Sequence, residues 1–123
     1  MARVVAVVGA SRDRRKFGNK AVRAFVAAGD TVVPIHPREL EIEGLRAYRS
    51  VLDVPGPIDM ATIYLPPRVA LTILAELRQK GVGEVWLNPG ADDDDVIAEA
   101  ERLGLKAVVA CSIVGAGQRP SAY

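Results

Sequence analysis

Val4-Val5-Ala6-Val7-Val8-Gly9-Ala10-Ser11 joins a continuous apolar, mostly β-branched run to a glycine turn, and Phe17-Gly18-Asn19 opens the next regular segment. An uninterrupted apolar run of this length reads as a strand covered on both faces, the condition of a central strand in a parallel sheet flanked by helices. Behind it, Ala21, Val22, Phe25 and Val26 recur at helical spacing between Asn19 and Ala28, and Gly29-Asp30 ends the helix. Strand, glycine loop and helix in that order form the opening unit of a nucleotide-binding α/β fold, where the loop and the helix N-terminus offer free N–H donors to a phosphate.

The alternation continues along the chain. Thr31 to Ile35 reads as a second strand, in which Pro34 is tolerable only where its missing donor faces an edge, a bulge or the end of the ladder. Gly44, Pro55, Gly56 and Pro57 predict an irregular crossover over Arg38 to Pro57, holding one or two turns of helix. A third strand over Met60 to Leu65 leads into a helix from Pro67 to about Lys80, and a fourth over Glu84 to Leu87 ends at the turn Asn88-Pro89-Gly90. Asp92 to about Leu103 reads as a helix, Lys106 to Ala110 as a fifth strand, and Gly115 to Tyr123 as a loosely structured tail. The expectation is one α/β domain over residues 1–123, Rossmann-like and three-layered, with a five-stranded parallel sheet in the order 3-2-1-4-5.

Composition bounds the function. Sixteen Lys and Arg against fifteen Asp and Glu leave a formal charge of +1, so the chain lacks the overall basic footprint of a nucleic-acid or membrane-surface protein. The opening apolar run is too short for a signal segment or a membrane span, which predicts a cytoplasmic protein. Cys111 is the single cysteine, which excludes an internal disulfide and a zinc site built from several cysteines. Small size and high apolar content are compatible with a homodimer, although no seam is legible.

In open α/β sheets ligands sit beyond the carboxyl ends of the strands. The first such loop carries most of the chemistry: Gly9 permits a tight turn, Ala10 and Ser11 are small enough for backbone donors to approach a phosphate, and Gly18 lets the helix start close by. The spacing departs from G-x-G-x-x-G, because Ser11 replaces the second glycine and the loop is longer. Its extra length holds Arg12, Arg14, Arg15 and Lys16, four cations near the predicted diphosphate site. After the second strand, where an NAD site offers an acidic residue to the ribose diol, the chain has His36-Pro37-Arg38. Arg38 suits a ribose phosphate, which favours NADP or coenzyme A, while Glu39 keeps NAD open.

His36 reads as part of the pocket wall, since no carboxylate is implied beside it for acid-base work. Cys111 has two readings: a buried structural thiol, or a group placed to form a mixed disulfide with a CoA thiol. Asp92 to Asp95 fit a helix N-terminus better than a metal site, because successive helical side chains point about 100° apart. Tyr64 and Trp86 read as core or pocket-wall residues.

The chain resembles the small CoA-binding domain proteins, single Rossmann modules similar to the CoA-binding domain of succinyl-CoA synthetase alpha chains. The likeness rests on Val7 to Ser11, Phe17-Gly18-Asn19, His36-Pro37, Ile42-Glu43-Gly44 before Tyr48, Val54 to Asp59, Leu65-Pro66-Pro67, Val85 to Gly90 and Ala110 to Ile113. What it implies is a module that binds CoA or acyl-CoA as a carrier, sensor or regulatory subunit, without evident catalytic residues. An NADP-binding oxidoreductase-like protein and the CoA-binding subunit of a multi-chain acyl-CoA ligase are the alternatives. Carried over by residue, Gly9, Ala10 and Ser11 would face the diphosphate, and Pro37 and Arg38 would lie near the adenine and its 3′-phosphorylated ribose. Pro66 and Asn88-Pro89-Gly90 would border the pantetheine path. The implied partners are CoA or acyl-CoA and an acyl-CoA enzyme, with neither nucleic acid nor membrane. The tail departs from the family's basic ending, with Val114-Gly115-Ala116-Gly117 after Cys111.

Overall fold

A computed structural model describes residues 2–123. Its five-stranded parallel sheet is built from β1 (Val4–Val8), β2 (Thr31–Ile35), β5 (Met60–Ile63), β6 (Glu84–Leu87) and β7 (Ala107–Val109), and a two-stranded hairpin, β3 (Glu41–Ile42) with β4 (Leu45–Arg46), lies outside it. The helices are α1 (Phe17–Ala27), α2 (Pro67–Lys80), α3 (Asp94–Arg102) and the short α4 (Ser112–Gly115). This is a Rossmann-like α/β fold. Alternate residues of β1 feed opposite layers, which is why its sequence is apolar throughout. Val5 and Val7 pack with Ala21, Val22 and Phe25 of α1, whereas Ala6 and Val8 join the core formed with Leu74 and Leu77 of α2 and with Val96 and Ala100 of α3. No helix is long and apolar enough to cross a membrane among the described residues.

The strand order corrects the sequence expectation. The sheet runs β2-β1-β5-β6-β7, so the third of the five parallel strands lies beside the first, and the order is 2-1-3-4-5 in place of 3-2-1-4-5. Pro34 supplies the physical reason. Its carbonyl accepts from the Tyr48 N–H on the outer side of β2, the side away from β1, so that is also where its missing donor falls. A third strand placed there would lose a ladder bond at Pro34. Among the described residues only a single bridge, at Ile35 and Tyr48, forms on that side, and β2 stays at the edge. The reversal of strand order therefore falls between β1 and β5.

Two further expectations change. The crossover holds the β3–β4 hairpin and one 3₁₀ turn at Val51–Asp53, where only irregular chain and helix were expected. Glu43 and Gly44 both have positive φ, 51° and 76°, as a tight hairpin turn of the I′ kind requires, but Glu-Gly lacks the Asn or Asp that usually announces it. The tail is ordered and packed: after α4 it forms a 3₁₀ turn at Pro120–Ala122, and Arg23 of α1 stacks over the Tyr123 ring, 5.7 Å from its centroid. The Arg23 guanidinium also donates to the Tyr123 carbonyl at 3.2 Å. The aspartate run starts α3 as expected, with Asp93 accepting from the Asp95 N–H at 2.9 Å.

Candidate functional site

The β1–α1 loop is fixed by backbone contact. A Cβ added at Gly9 would lie 2.4 Å from the Tyr64 carbonyl oxygen, and one added at Gly18 would lie 2.2 Å from the Gly9 carbonyl oxygen. The loop thus wedges between the ends of β1 and β5 only because both positions lack a side chain. Gly9 and Ala10 both direct their N–H groups at the Ile35 carbonyl, each at 3.3 Å. They shape the loop, and both amides are engaged within the fold. The N–H groups of Ser11, Phe17 and Gly18 meet no acceptor among the described residues, and these residues line a cavity of about 370 Å³ with Gly9, Ala10, Lys16, His36 and Pro37. The Ser11 hydroxyl accepts from the Asp13 N–H at 3.0 Å and keeps its own proton to donate.

The four cations divide unequally. Arg12 pairs with Glu39 at 3.3 Å, Arg14 with Glu43 at 3.7 Å, and Arg15 with Asp13 at 3.1 Å. The Arg15 hydrogen bonds hold the Asp13 carboxyl down to about 2. Lys16 makes no ion pair among the described residues and lines the loop cavity. Arg12, Arg14 and Arg38 instead line a neighbouring cavity of about 530 Å³ with Glu39 and Glu43. His36 closes the turn after β2, its Nδ1 accepting from the N–H groups of Arg38 and Glu39 at 3.0 and 2.9 Å, so its ring proton sits on Nε2.

Across β5 the wall becomes apolar. Tyr64, Leu65, Pro66, Pro67, Pro89 and Gly90 surround an open cleft, and Phe17, Tyr64, Asn88, Pro89, Cys111 and Pro120 line a more enclosed cavity of about 260 Å³. Cys111 is half-buried in that wall, not sealed in the core. Asn88 is only 1% exposed, and its amide is consumed by the fold. Burial raises the Tyr64 phenol above its ordinary value of 10.0, opposed by its hydrogen bond with Ser112 at 3.0 Å. Because the native state holds this proton more tightly than the unfolded chain, its contribution to stability is complete below pH 10 and is lost as pH rises through the elevated native value. Ultraviolet titration is expected to show one of the three tyrosines ionising late, and Tyr64→Phe to remove that phase.

Comparison with known proteins bears on this arrangement. The CoA binding domain family model matches residues 3–117. The chain belongs to the CoA binding domain family. This CoA binding domain is 30% identical over 117 residues to the ADP-forming acetate–CoA ligase II subunit alpha of Pyrococcus furiosus, covering 86% of this chain and 26% of the ligase subunit. It is 36% identical over 106 residues to the ADP-forming acetate–CoA ligase II of Archaeoglobus fulgidus, covering 83% of this chain and 16% of that one. The domain therefore spans about a quarter or less of these curated relatives. Among solved structures, a conserved hypothetical protein from Pyrococcus furiosus superposes with TM-score 0.83 at 30% identity, covering 94% of this chain and 99% of the other. The dinucleotide-forming acetyl-coenzyme A synthetase 1 of Ca. Korarchaeum cryptofilum, in complex with phosphate and ADP, gives TM-score 0.76 at 28% identity over 87% of this chain and 25% of that one.

Of the residues singled out from the sequence, the CoA binding domain brings Gly9, Ala10, Ser11, Lys16, Gly18, His36 and Pro37 to one cavity. Arg12 and Arg38 go to the adjoining one, and Arg15 turns to Asp13. Pro66, Pro89, Gly90 and Cys111 line the apolar side. Sequence reasoning missed Asn19 as the residue that holds the loop to α1. It is fully buried and donates to the Ser11 carbonyl at 2.9 Å and to Glu43 at 3.2 Å, while accepting from Arg23 at 2.7 Å. A polar side chain beside Gly18 on the buried side of α1 was the available signal.

Proposed function

We propose that this CoA binding domain binds CoA or acyl-CoA with the diphosphate at the Ser11, Lys16 and Gly18 cradle, and that it serves an acyl-CoA ligase partner. The observation that carries the reading is the set of N–H groups on Ser11, Phe17 and Gly18 without an acceptor, beside a lysine without a counter-ion, among the described residues of a chain of near-zero net charge. Support for the partner class comes from the relatives named as ADP-forming acetate–CoA ligases. The adenosine end of the ligand falls to the cavity of Arg12 and Arg38, where Glu39, the acidic residue that an NAD reading would need, is taken by Arg12.

Calorimetric titration with CoA, NADP and NAD tests this reading. CoA is expected to bind most tightly, and Lys16→Ala to weaken it by about tenfold, the value of one charge-assisted contact, with the loss shrinking at high salt. Arg15→Ala is expected to cost less than Lys16→Ala, because Arg15 is turned toward Asp13. Preference for NAD, or a Lys16→Ala variant that binds CoA as tightly as the parent, would sink the assignment.

A further inference from the structure

We propose that the enclosed cavity of Phe17, Tyr64, Pro89, Cys111 and Pro120 holds the S-acyl end of a short-chain acyl-CoA, with the Tyr64 hydroxyl donating to the thioester carbonyl. The assignment rests on the CoA reading above and adds to it the class of thioester. It follows from counting protons behind the cavity wall. Asn88 Nδ2 donates to Thr62 Oγ1 at 2.7 Å and to the Ile63 carbonyl at 2.9 Å, while its Oδ1 accepts from the Ser112 N–H at 2.8 Å. A backbone acceptor on one side and a backbone donor on the other fix which end of the amide is which. Thr62 and Ser112 are linked at 2.6 Å, and Ser112 and Tyr64 at 3.0 Å.

Each hydroxyl has one proton to place. Thr62 Oγ1 already receives the Asn88 proton, so its own proton can go only to Ser112, since no other acceptor meets it among the described residues. Ser112 in turn donates to Tyr64. Reversing the chain would leave the Thr62 proton without an acceptor at a fully buried position. The Tyr64 O–H is therefore the end of a one-directional chain of hydrogen bonds that strengthen one another, and its own proton has no acceptor among the described residues.

The surroundings define the acceptor. Phe17 and Tyr64 line both this cavity and the Gly9 loop cavity, so a ligand anchored at the loop passes directly into it. The other walls are an aromatic ring, two prolines and the Cys111 thiol, and the Asn88 amide is spent internally. The volume of about 260 Å³ suits the thiol end of the pantetheine arm with a short acyl group. A free thiol, a poor acceptor, leaves the Tyr64 proton unused, and a thioester carbonyl takes it.

The test is calorimetric titration of the whole chain with CoA, acetyl-CoA, butyryl-CoA and palmitoyl-CoA, in the parent, Tyr64→Phe and Cys111→Phe, with thermal unfolding to confirm that each variant is folded. Acetyl-CoA and butyryl-CoA are expected to bind roughly 3–10-fold more tightly than CoA, as one added hydrogen bond predicts, and palmitoyl-CoA more weakly than either. Tyr64→Phe is expected to bring the acetyl-CoA to CoA ratio to about one, and Cys111→Phe, which fills the cavity, to reverse it. Binding of CoA with no short-acyl preference, or a preference that survives Tyr64→Phe, overturns this assignment alone. Binding of none of the four overturns the CoA reading and this assignment with it.

Discussion

Gly18→Ala is expected to weaken CoA binding by about 30-fold or more and to destabilise the fold by about 3 kcal/mol, the upper range for forcing an extra carbon into packed structure. The added Cβ would lie 2.2 Å from the Gly9 carbonyl oxygen and 3.2 Å from its carbon, so the clash is with backbone at both ends. Gly9 cannot yield. It holds a φ of 92°, and its own Cβ position lies 2.4 Å from the Tyr64 carbonyl oxygen, while its N–H is held by Ile35. The N-terminus of α1 must withdraw instead, taking the N–H groups of Phe17 and Gly18 away from the cradle. Losing two such donors at about 1 kcal/mol each gives the 30-fold figure. Gly29→Ala separates this effect from ordinary glycine strain: its φ is 90° but nothing lies within 4 Å, so it should cost about 1 kcal/mol in stability and leave affinity alone. Calorimetry and denaturant unfolding of the two variants check the claim, and equal affinities would refute it.

The same two glycines show what a sequence can reveal. Local features announced themselves: the double-faced apolar run of β1, the proline opening α2, the aspartates opening α3, and the loop glycines. Features set by pairing across distance did not. Pro34 already argued for an edge position for β2, and an order with that strand in the interior conflicted with it; the structure resolves the conflict in favour of the proline. The charge of the Gly9 loop is a similar case. Four basic residues in five positions read as a phosphate cluster, yet Arg12 and Arg14 meet Glu39 and Glu43, which only the return of the crossover and its hairpin brings near. Glu43 arrives there because a Glu-Gly turn adopts positive φ at both positions. Arg23 and Asn19 tie that loop to the tail, a link between residues 100 positions apart that no local pattern encodes.

Asn88→Ala is expected to cost about 3–4 kcal/mol, large for a single polar side chain, because it strands several buried groups together. The Ser112 N–H would lose its acceptor at 2.8 Å, and the Ile63 carbonyl and Thr62 hydroxyl would lose a donor, in a region where Thr62, Asn88 and Ser112 are each no more than 1% exposed. These bonds tie the ends of β5 and β6 to the start of α4, so the loss falls on the floor of the ligand cleft as well as on stability. Asn88→Asp refines the point: it keeps an acceptor for the Ser112 N–H but sets a second oxygen against the Ile63 carbonyl, so it should recover little of what alanine loses. Denaturant unfolding measures both, and an Asn88→Asp protein as stable as the parent would show that the amide donors are dispensable. In the alanine variant the Thr62 proton still has Ser112 as its one acceptor among the described residues, so the direction of the hydroxyl chain is kept. Any short-acyl preference that depends on the Tyr64 proton should therefore persist in this variant, provided the protein is still folded at the temperature of the titration.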